Sequence, residues 1–423
     1  MTGSTPRHEH IGLVFSPPAL YPPLEVGSSE LSHVDTILPI PDGSTFRYAL
    51  NGHLVEEDDE DSDGIWVEVT NRYGMVRVDW KFMRQYDGPW PAWVTVYYMR
   101  DGVAKDLGQI PLLDTRNVKP DRMVLKGILV VEIPEAGREQ AYVTADFVDT
   151  NNIPIPGYDD SWTLHNDALP DGVTRENNWF WIHPHAQPGA FTVRGTGPDG
   201  LQARATITLV AAPAAARTRD ASAQNLLFSP PAAYPPLELL DSQIVWIHPI
   251  KPVIGNPTFH YALNGEKEGG DGIDVVLNDR YGFVGVGGSF MKSYNGPWPA
   301  WVDVCQLKDG VNTIWGRLPL LNTAAATPEG MVVERAPVHQ IPESGTNFLT
   351  FNVSFVDGNN IPIPGFGRRW APKLTTPVPG VVVEGQYLKV SSSAQPGPLH
   401  VRITTDLGFE GGATITLLAA PAS

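Results

Sequence analysis

Short runs of alternating apolar and polar residues recur along this chain, and no amphipathic helix stands out. In Ala203–Val210, Thr206 and Thr208 would face one side of a strand while Ile207 and Leu209 face the other. Five more segments rich in β-branched and aromatic residues are predicted to be strands: Ile65–Val69, Met75–Trp80, Trp93–Met99, Ala141–Val148 and Ala190–Arg194. The pattern predicts an all-β protein.

Turn signals separate these runs and strengthen the all-β prediction. Glycine is favoured in tight hairpin turns because it accepts a positive φ, and five hairpin dipeptides are present: Asn51-Gly52, Asp101-Gly102, Asp199-Gly200, Asn264-Gly265 and Asp309-Gly310. The 423 residues include 41 Gly and 40 Pro. This content argues against long helices, since a proline inside a helix costs about 3 kcal/mol.

An internal duplication organises the chain. Near the start of each half, motifs recur 213 positions apart, such as Tyr48–Gly52 and Tyr261–Gly265. From Ile65 onward the offset is 208 and stays constant, as in Gly88–Trp93 and Gly296–Trp301. The difference in offset falls in an acidic segment that is shorter in the second copy. The chain therefore contains two copies of one unit.

Each copy is large enough for two β-sandwiches. The sequence predicts a Pro-rich N-terminal arm (1–36), sandwich 1a (37–117), sandwich 1b (118–212), a linker with a second Pro-rich arm (213–243), sandwich 2a (244–325) and sandwich 2b (326–423). Adjacent prolines in the arms Phe15–Glu25 and Phe228–Glu238 force extended backbone. We interpret the arms as edge strands or inter-domain struts, with docking into an aromatic groove as the alternative.

The second half of each copy resembles a known family. Phe147-Val148-Asp149 leads into Asn151–Gly157, and Ala186–Gly189 precedes a closing Thr-Ile-Thr-Leu strand. These turns resemble those of bacterial immunoglobulin-like domains of the invasin/intimin type. The resemblance covers 123–212 and 331–420 and implies tandem immunoglobulin-like β-sandwiches. Such domains share no active site, so the resemblance assigns no functional residue. It favours an extracellular or cell-surface location, although no secretory signal is visible in Met1–His10.

Charge and composition exclude several function classes. The chain holds 30 Lys+Arg against 47 Asp+Glu, a formal net charge of −17. Nucleic-acid binding is excluded because phosphate contacts require clustered basic residues. No apolar run approaches the ~20 residues of a membrane-spanning helix. Cys305 is the single cysteine, which excludes an internal disulfide and a multi-thiolate metal site.

An aromatic segment present in both copies is the main candidate for ligand binding. Flat rings held by proline backbone are suited to stacking on sugars or aliphatic groups. The candidate residues are Tyr86, Trp90, Trp93, Tyr294, Trp298 and Trp301. If Val94 and Val96 point into the core, Trp93 must lie on the opposite face of the strand. The alternative is that these rings seal a core or a seam between sandwiches.

Candidate metal ligands are sparse. Asp59, Asp61 and Asp63 alternate ahead of Gly64, a spacing that lets a loop curl around Ca²⁺. The position where an EF-hand requires a bidentate glutamate holds Thr70, so a solvated acidic hairpin tip is the favoured interpretation. We therefore expect no cofactor, with weak Ca²⁺ binding as the alternative.

No catalytic motif is present. The sequence lacks the nucleophile elbow, the zinc-protease helix motif, the phosphate loop and the dinucleotide fingerprint. We therefore predict a non-enzymatic binding or adhesion protein whose duplicated modules contact a protein or carbohydrate surface. The alternatives are a carbohydrate-binding lectin, a structural component of a larger assembly such as a phage or secretion apparatus, and a hydrolase whose site is hidden from sequence inspection.

Overall fold

The chain folds as tandem immunoglobulin-like β-sandwiches, arranged as two copies of a two-domain unit. The structure is a computed structural model. It describes residues 13–36, 45–55, 64–69, 74–100, 103–158, 161–166, 168–211, 225–239, 241–249, 257–267, 272–277, 282–308, 311–366 and 370–419. Each sandwich packs small sheets around its own apolar core, two sheets in 1a, 1b and 2a and three in 2b.

Sandwich 1a has an immunoglobulin-like strand order. Its elements are β1 (Leu13–Ser16), β2 (Ser29–Thr36), β3 (Thr45–Leu50), β4 (His53–Leu54), β5 (Ile65–Val69), β6 (Gly74–Asp79), α1 (Trp80–Gln85), β7 (Ala92–Arg100) and β8 (Val103–Leu112). One sheet has the order β1-β2-β6-β5 and the other β4-β3-β7-β8. With the strands lettered along the chain, these are A-B-E-D and C′-C-F-G, the immunoglobulin arrangement.

Sandwich 1b repeats that arrangement. Its strands are β9 (Arg122–Gly127), β10 (Val130–Glu132), β11 (Glu139–Val148), β12 (Thr163–Asn166), β13 (Val173–Glu176), β14 (Trp179–Ile182), β15 (Gly189–Thr196) and β16 (Gln202–Val210). The sheets have the orders β13-β14-β11-β9 and β10-β16-β15-β12, and β10 runs parallel to β16. The first part of the chain in 1b thus joins both sheets, with β9 in one sheet and β10 in the other. This division closes the sandwich along one edge.

Copy two reproduces these elements at the offsets read from the sequence. Sandwich 2a contains β17 (Leu226–Ser229), β18 (Ser242–Pro249), β19 (Thr258–Leu263), β20 (Glu266–Lys267), β21 (Ile273–Leu277), β22 (Gly282–Gly287), α2 (Gly288–Ser293), β23 (Ala300–Lys308) and β24 (Val311–Leu320). Sandwich 2b contains β25 (Gly330–Glu334), β26 (Val338–Gln340), β27 (Thr346–Leu349), β28 (Asn352–Val356), β29 (Trp370–Leu374), β30 (Val381–Glu384), β31 (Tyr387–Ser391), β32 (Gly397–Thr405) and β33 (Glu410–Leu418). The long strand β11 corresponds to the two shorter strands β27 and β28.

The predicted alternation places the expected residues inside. Ile207 and Leu209 lie in the core of 1b, and Val94 and Val96 lie in the core of 1a. The segment Met75–Trp80 differs from the prediction at one end, because the strand stops at Asp79 and α1 begins at Trp80. The Asp79 side chain accepts a hydrogen bond from the Lys81 amide, which caps the helix at its first turn.

Each Pro-rich arm begins as an edge strand of the first sandwich and continues into the seam between the two sandwiches of its copy. Strands β1 and β2 come from the segment that the sequence assigned to the arm, and β1 is the edge of its sheet. The arm then enters the seam between 1a and 1b, where Tyr21 donates a hydrogen bond to Asp149 Oδ2 at 3.1 Å. Asp149 Oδ1 accepts the amides of Asn151 and Ile153. The turn that carries the family resemblance is therefore the docking point of the arm.

The same seam is built in copy two. Tyr234 donates to Asp357 Oδ2 at 3.0 Å, and Asp357 Oδ1 accepts the amides of Asn359 and Ile361. Burial and the neighbouring carboxylate raise the pKa of both tyrosines, so each remains a hydrogen-bond donor at neutral pH. A tyrosine hydrogen bond to a carboxylate thus joins each pair of sandwiches, buried in copy one and partly buried in copy two.

Replacing the seam tyrosine tests this bond. We expect Tyr21→Phe to destabilise the 1a–1b seam by about 1–3 kcal/mol, because Asp149 stays buried and loses one donor. Tyr234→Phe should act equally on copy two. Hydrogen exchange at the amides of Asn151 and Ile153 measures the effect locally. Tyr98→Phe, on a ring at the core of 1a, is the control, and equal exchange in both variants would contradict the role of Tyr21.

Candidate functional site

The aromatic segment of copy one connects α1 to β7. It begins at Tyr86, whose amide donates to the Phe82 carbonyl at the end of the helix. The Trp90–Pro91 peptide bond is cis, as is Trp298–Pro299 in copy two. The segment therefore spans one end of the sandwich and delivers Trp93 into the strand that follows.

A single asparagine braces this segment from the opposite hairpin. Asn51 lies in the β3–β4 turn with a φ of +50°. Its Oδ1 accepts the Trp93 amide at 2.8 Å, and its Nδ2 donates to the Tyr86 hydroxyl at 2.7 Å. The Tyr86 hydroxyl in turn donates to the Pro89 carbonyl at 2.6 Å. The hairpin dipeptide and the aromatic segment, which the sequence analysis treated separately, form one unit.

Copy two builds the same brace. Asn264 accepts the Trp301 amide at 2.8 Å and donates to the Tyr294 hydroxyl at 2.9 Å, and that hydroxyl donates to the Pro297 carbonyl at 2.6 Å. Sequence analysis missed Asn51 and Asn264 as site residues. Their signal was present, since each is the fourth residue of a Tyr-Ala-Leu-Asn-Gly motif that is identical in the two copies.

The tyrosine and the first tryptophan pack as a cluster on the core. Tyr86 stacks on the buried ring of Phe82 with 4.8 Å between centroids, and Trp90 meets Tyr86 edge-on at 5.1 Å. Both rings are half-buried. Tyr294 and Trp298 repeat the arrangement at 5.0 and 5.1 Å. These rings close the sandwich ends, as the sealing interpretation requires, and still present part of their surface to solvent.

The two copies differ beside this cluster. In copy one, the Arg116 guanidinium lies 5.7 Å from the Trp90 ring centroid and forms an ion pair with Asp114 at 2.8 Å. The corresponding residues of copy two are Ala324 and Asn322. Burial raises the pKa of Tyr86, and its bond with Asn51 opposes the shift. The rim of the cluster is therefore charged at these two positions in copy one and uncharged at the corresponding positions in copy two.

The second tryptophan lies on the outer face of the sheet, as the alternation predicted, but its exposure differs between copies. Trp93 is half-buried, whereas Trp301 is 3% exposed. Asp303, on the face of Trp301, binds Arg317 Nε at 2.7 Å, and Arg317 binds Glu132 of sandwich 1b at 2.5 Å. Sandwich 1b therefore covers this face of 2a. The structure places Tyr86 and Trp90 in one ring cluster and Trp93 in the strand that follows. Ligand binding by any of the six predicted rings stays a prediction.

The remaining features singled out in the sequence are the acidic loop and the single cysteine. Asp59, Asp61 and Asp63 lie outside the described residues. Within the described ranges, no group of three or more His, Cys, Asp or Glu side chains could hold a metal ion. The Cys305 side chain is buried in β23. In the part of the chain that the structure covers, no helix has the length and apolarity needed to cross a membrane.

Comparisons with known proteins return only solved structures. No protein-family model and no curated protein matches the chain. One similar structure is the N-terminal four Ig domains of Dscam1 isoform 4.44, with a TM-score of 0.19, 10% identity, and coverage of 97% of this chain and 100% of that chain.

Two further structures come from bacteria. One is SGBP-B of the Bacteroides ovatus mixed-linkage glucan utilization locus in complex with a mixed-linkage heptasaccharide, with a TM-score of 0.21, 11% identity and coverage of 72% and 70%. The other is the Yersinia pseudotuberculosis adhesin InvE, with a TM-score of 0.17, 11% identity and coverage of 65% and 73%. The immunoglobulin-like assignment of this chain rests on its own strand order.

A glycine inside the aromatic segment offers a test of the brace. A Cβ at Gly88 would lie 2.6 Å from the Tyr86 hydroxyl oxygen. We expect Gly88→Ala to displace Tyr86 and to lower stability by about 1–3 kcal/mol. The matched control is Gly412→Ala, because a Cβ there meets no atom within 4 Å. Near-ultraviolet circular dichroism and melting check both variants, and an unchanged aromatic signal in Gly88→Ala would contradict the packing described.

Proposed function

We propose that this chain is a non-enzymatic binding protein of the adhesion type. It would act as a bacterial surface protein, in keeping with the invasin/intimin-like turns at Asp149 and Asp357. The observation that carries the proposal is the braced aromatic segment, which is built with the same hydrogen bonds in both copies. Rings fixed by Asn51 and Asn264 lose little conformational entropy when a ligand stacks on them, which favours binding.

Carbohydrate is the ligand class that we propose for these rings. A sugar offers apolar C–H faces and hydroxyl edges, and the rim of copy one offers the complementary set: the half-buried Trp90 ring, the Arg116 guanidinium and the Asp114 carboxylate. The equivalent rim of copy two lacks both charges. We therefore propose that copy one binds more tightly than copy two.

A structural role in a larger assembly is the second candidate, and a specific observation favours it. Large apolar side chains are exposed on the arm loops at corresponding positions of the two copies: Leu24 (53%), Val26 (60%), Leu237 (47%) and Leu239 (53%). Each loop is anchored at its base by a threonine hydroxyl, from Thr115 to the Pro22 carbonyl and from Thr323 to the Pro235 carbonyl. Exposed apolar side chains on an anchored loop suit contact with another protein.

Titration of oligosaccharides with tryptophan fluorescence as the readout distinguishes the two candidates. For a glycan that binds, we expect Trp90→Ala to weaken affinity about 10-fold or more, a loss of about 1.4 kcal/mol, and Trp298→Ala to weaken it less. Trp179→Ala, on sandwich 1b, is the control. If both ring variants bind as the parent does, stacking is excluded. Binding of a protein partner that is lost in Leu24→Ser with Leu237→Ser would instead favour the assembly.

The acidic loop carries a separate proposal. We propose that Asp59, Asp61 and Asp63 form a solvated hairpin tip with at most weak affinity for Ca²⁺. Equal melting temperatures are therefore expected in Ca²⁺ and in a chelator, since a bound ion would stabilise the folded state. A higher melting temperature in Ca²⁺ that Asp61→Asn abolishes would assign an ion to the loop.

A further inference from the structure

Corresponding residues of the two copies meet each other at the centre of the molecule. His33 of 1a and Trp246 of 2a stand 213 positions apart at equivalent places in β2 and β18. Their rings stack with 3.5 Å between centroids and 4° between planes. Contact between counterpart residues is the arrangement that a pseudo-twofold axis through this pair produces.

Reciprocal contacts between the copies fit the same axis. Ser16 of β1 donates to Glu334 Oε2 of β25 at 3.3 Å, and the counterpart strands β17 and β9 are also in contact. The Asp149 and Asp357 turns add further contacts between 1b and 2b, through residues that are not counterparts. Asn152 Nδ2 of the Asp149 turn donates to the Val333 carbonyl at 2.6 Å. In the other direction, Asn359 Oδ1 of the Asp357 turn accepts the Thr206 amide of 1b at 3.0 Å. Each copy thus uses the same turn to bind sandwich b of the other copy. All four sandwiches surround a central cavity of about 2070 Å³.

Charged side chains in this interface pair across the copies. Glu132 of copy one binds Arg317 of copy two, which also binds Asp303 of its own sandwich. Side-chain exposure is 7% for Glu132, 15% for Arg317 and 1% for Asp303. Burial lowers the pKa of Arg317, but the two carboxylates outweigh burial and raise it. The guanidinium is therefore held charged between the copies.

The corresponding positions on the other side of the axis are uncharged. Gln109 and Thr95 of copy one occupy the positions of Arg317 and Asp303, and Gln340 of copy two occupies the position of Glu132. Gln109 Nε2 donates to Thr95 Oγ1 at 2.9 Å, which mirrors the bond from Arg317 to Asp303 without charge. The ionic contact therefore exists once in the molecule, with its acid in copy one and its base in copy two.

Counterpart positions at the interface also differ in the sign of their charge. Lys126 of copy one corresponds to Glu334 of copy two. The Lys126 ammonium forms its ion pair with Asp146 of its own sandwich, so it does not bridge the copies. Burial lowers the pKa of Lys126, but the carboxylates of Asp146, Glu334 and Glu30 raise it by more. The ionic contact between the copies is therefore the one from Glu132 to Arg317.

We infer that the surface between the copies is an interaction surface keyed by charge, whose partner is the unlike copy. Copy one recognises copy two through Glu132–Arg317. In a like pair, Glu132 or Arg317 would lose its charged partner, because the counterpart positions hold Gln109 and Gln340. The keyed surface is satisfied within one chain, so it does not join chains to one another. This inference is independent of any ligand at the aromatic segments.

Cleavage between the copies tests whether unlike copies pair in preference to like copies. A protease site is placed in the linker (213–224), and the purified chain is cut after folding. The halves are expected to stay associated. When cut chains with and without a mass tag exchange halves, native mass spectrometry should find the unlike pair at least 100-fold in excess over either like pair. Like pairs at comparable abundance would overturn the inference.

Charge variants test whether the Glu132–Arg317 ion pair carries this preference. The counterpart position Gln340 provides the control. Glu132→Lys sets a cation against Arg317, and the dissociation constant of the cut halves should rise at least 100-fold. Gln340→Lys places the same cation at the counterpart position, where the counterpart of Arg317 is the uncharged Gln109, and should change the constant less than 10-fold. Glu132→Gln copies the residue found at position 340 and guards against misfolding, with an expected rise of about 10-fold. Equal effects of Glu132→Lys and Gln340→Lys would refute a charge key.

Discussion

The buried bond between an arm tyrosine and the carboxylate of the following sandwich is the constraint on which the architecture depends. Asp149 is 6% exposed, so its carboxylate must keep hydrogen-bond donors in the folded state. Two backbone amides and the Asn151 side-chain amide of its own turn supply part of that need, and Tyr21 adds the donor from sandwich 1a. Because the tyrosine comes from the strand arm of 1a, the requirement fixes 1a on 1b.

Fixed seams make the meeting of the two copies possible. A flexible joint would let each pair of sandwiches bend, and the stack of His33 on Trp246 could not form together with the contacts of both turns. The Asp149 and Asp357 turns each take part in two interfaces. The turn that receives its own arm also presents Asn152 or Asn359 to the other copy, so one local structure serves two interfaces.

The sequence predicted the features that depend on local pattern. Alternation identified the inward valines of β7 and the strand β16, runs of β-branched and aromatic residues identified β11 and β15, and self-similarity identified the duplication. The six-residue helix α1 was missed because so short a helix shows no period, and its cap at Asp79 looks like the end of a strand. The immunoglobulin-like order of 1a could not be read from the residues either, since strand order is set by pairing between distant segments.

The exposure of the second tryptophan shows where sequence reasoning must fail. Trp93 and Trp301 share their local sequence, their brace and their place in the strand, yet only Trp301 is sealed. The Arg317 guanidinium lies 5.4 Å from the Trp301 ring centroid, and it is held by Glu132, 185 positions away. No window around Trp301 contains that information, and the acid at Asp303 was the only local sign of an interface.

This asymmetry limits what duplication can contribute to binding. Avidity arises when linked copies present equivalent sites to one partner. The outer sheet faces do not qualify, because Trp301 is covered where Trp93 is half-open. The cluster of Tyr86 with Trp90 and its counterpart do qualify in ring geometry, since both remain half-buried with matching contacts. A bivalent partner would therefore engage the ends of 1a and 2a, with the pseudo-twofold axis fixing the direction from which it approaches.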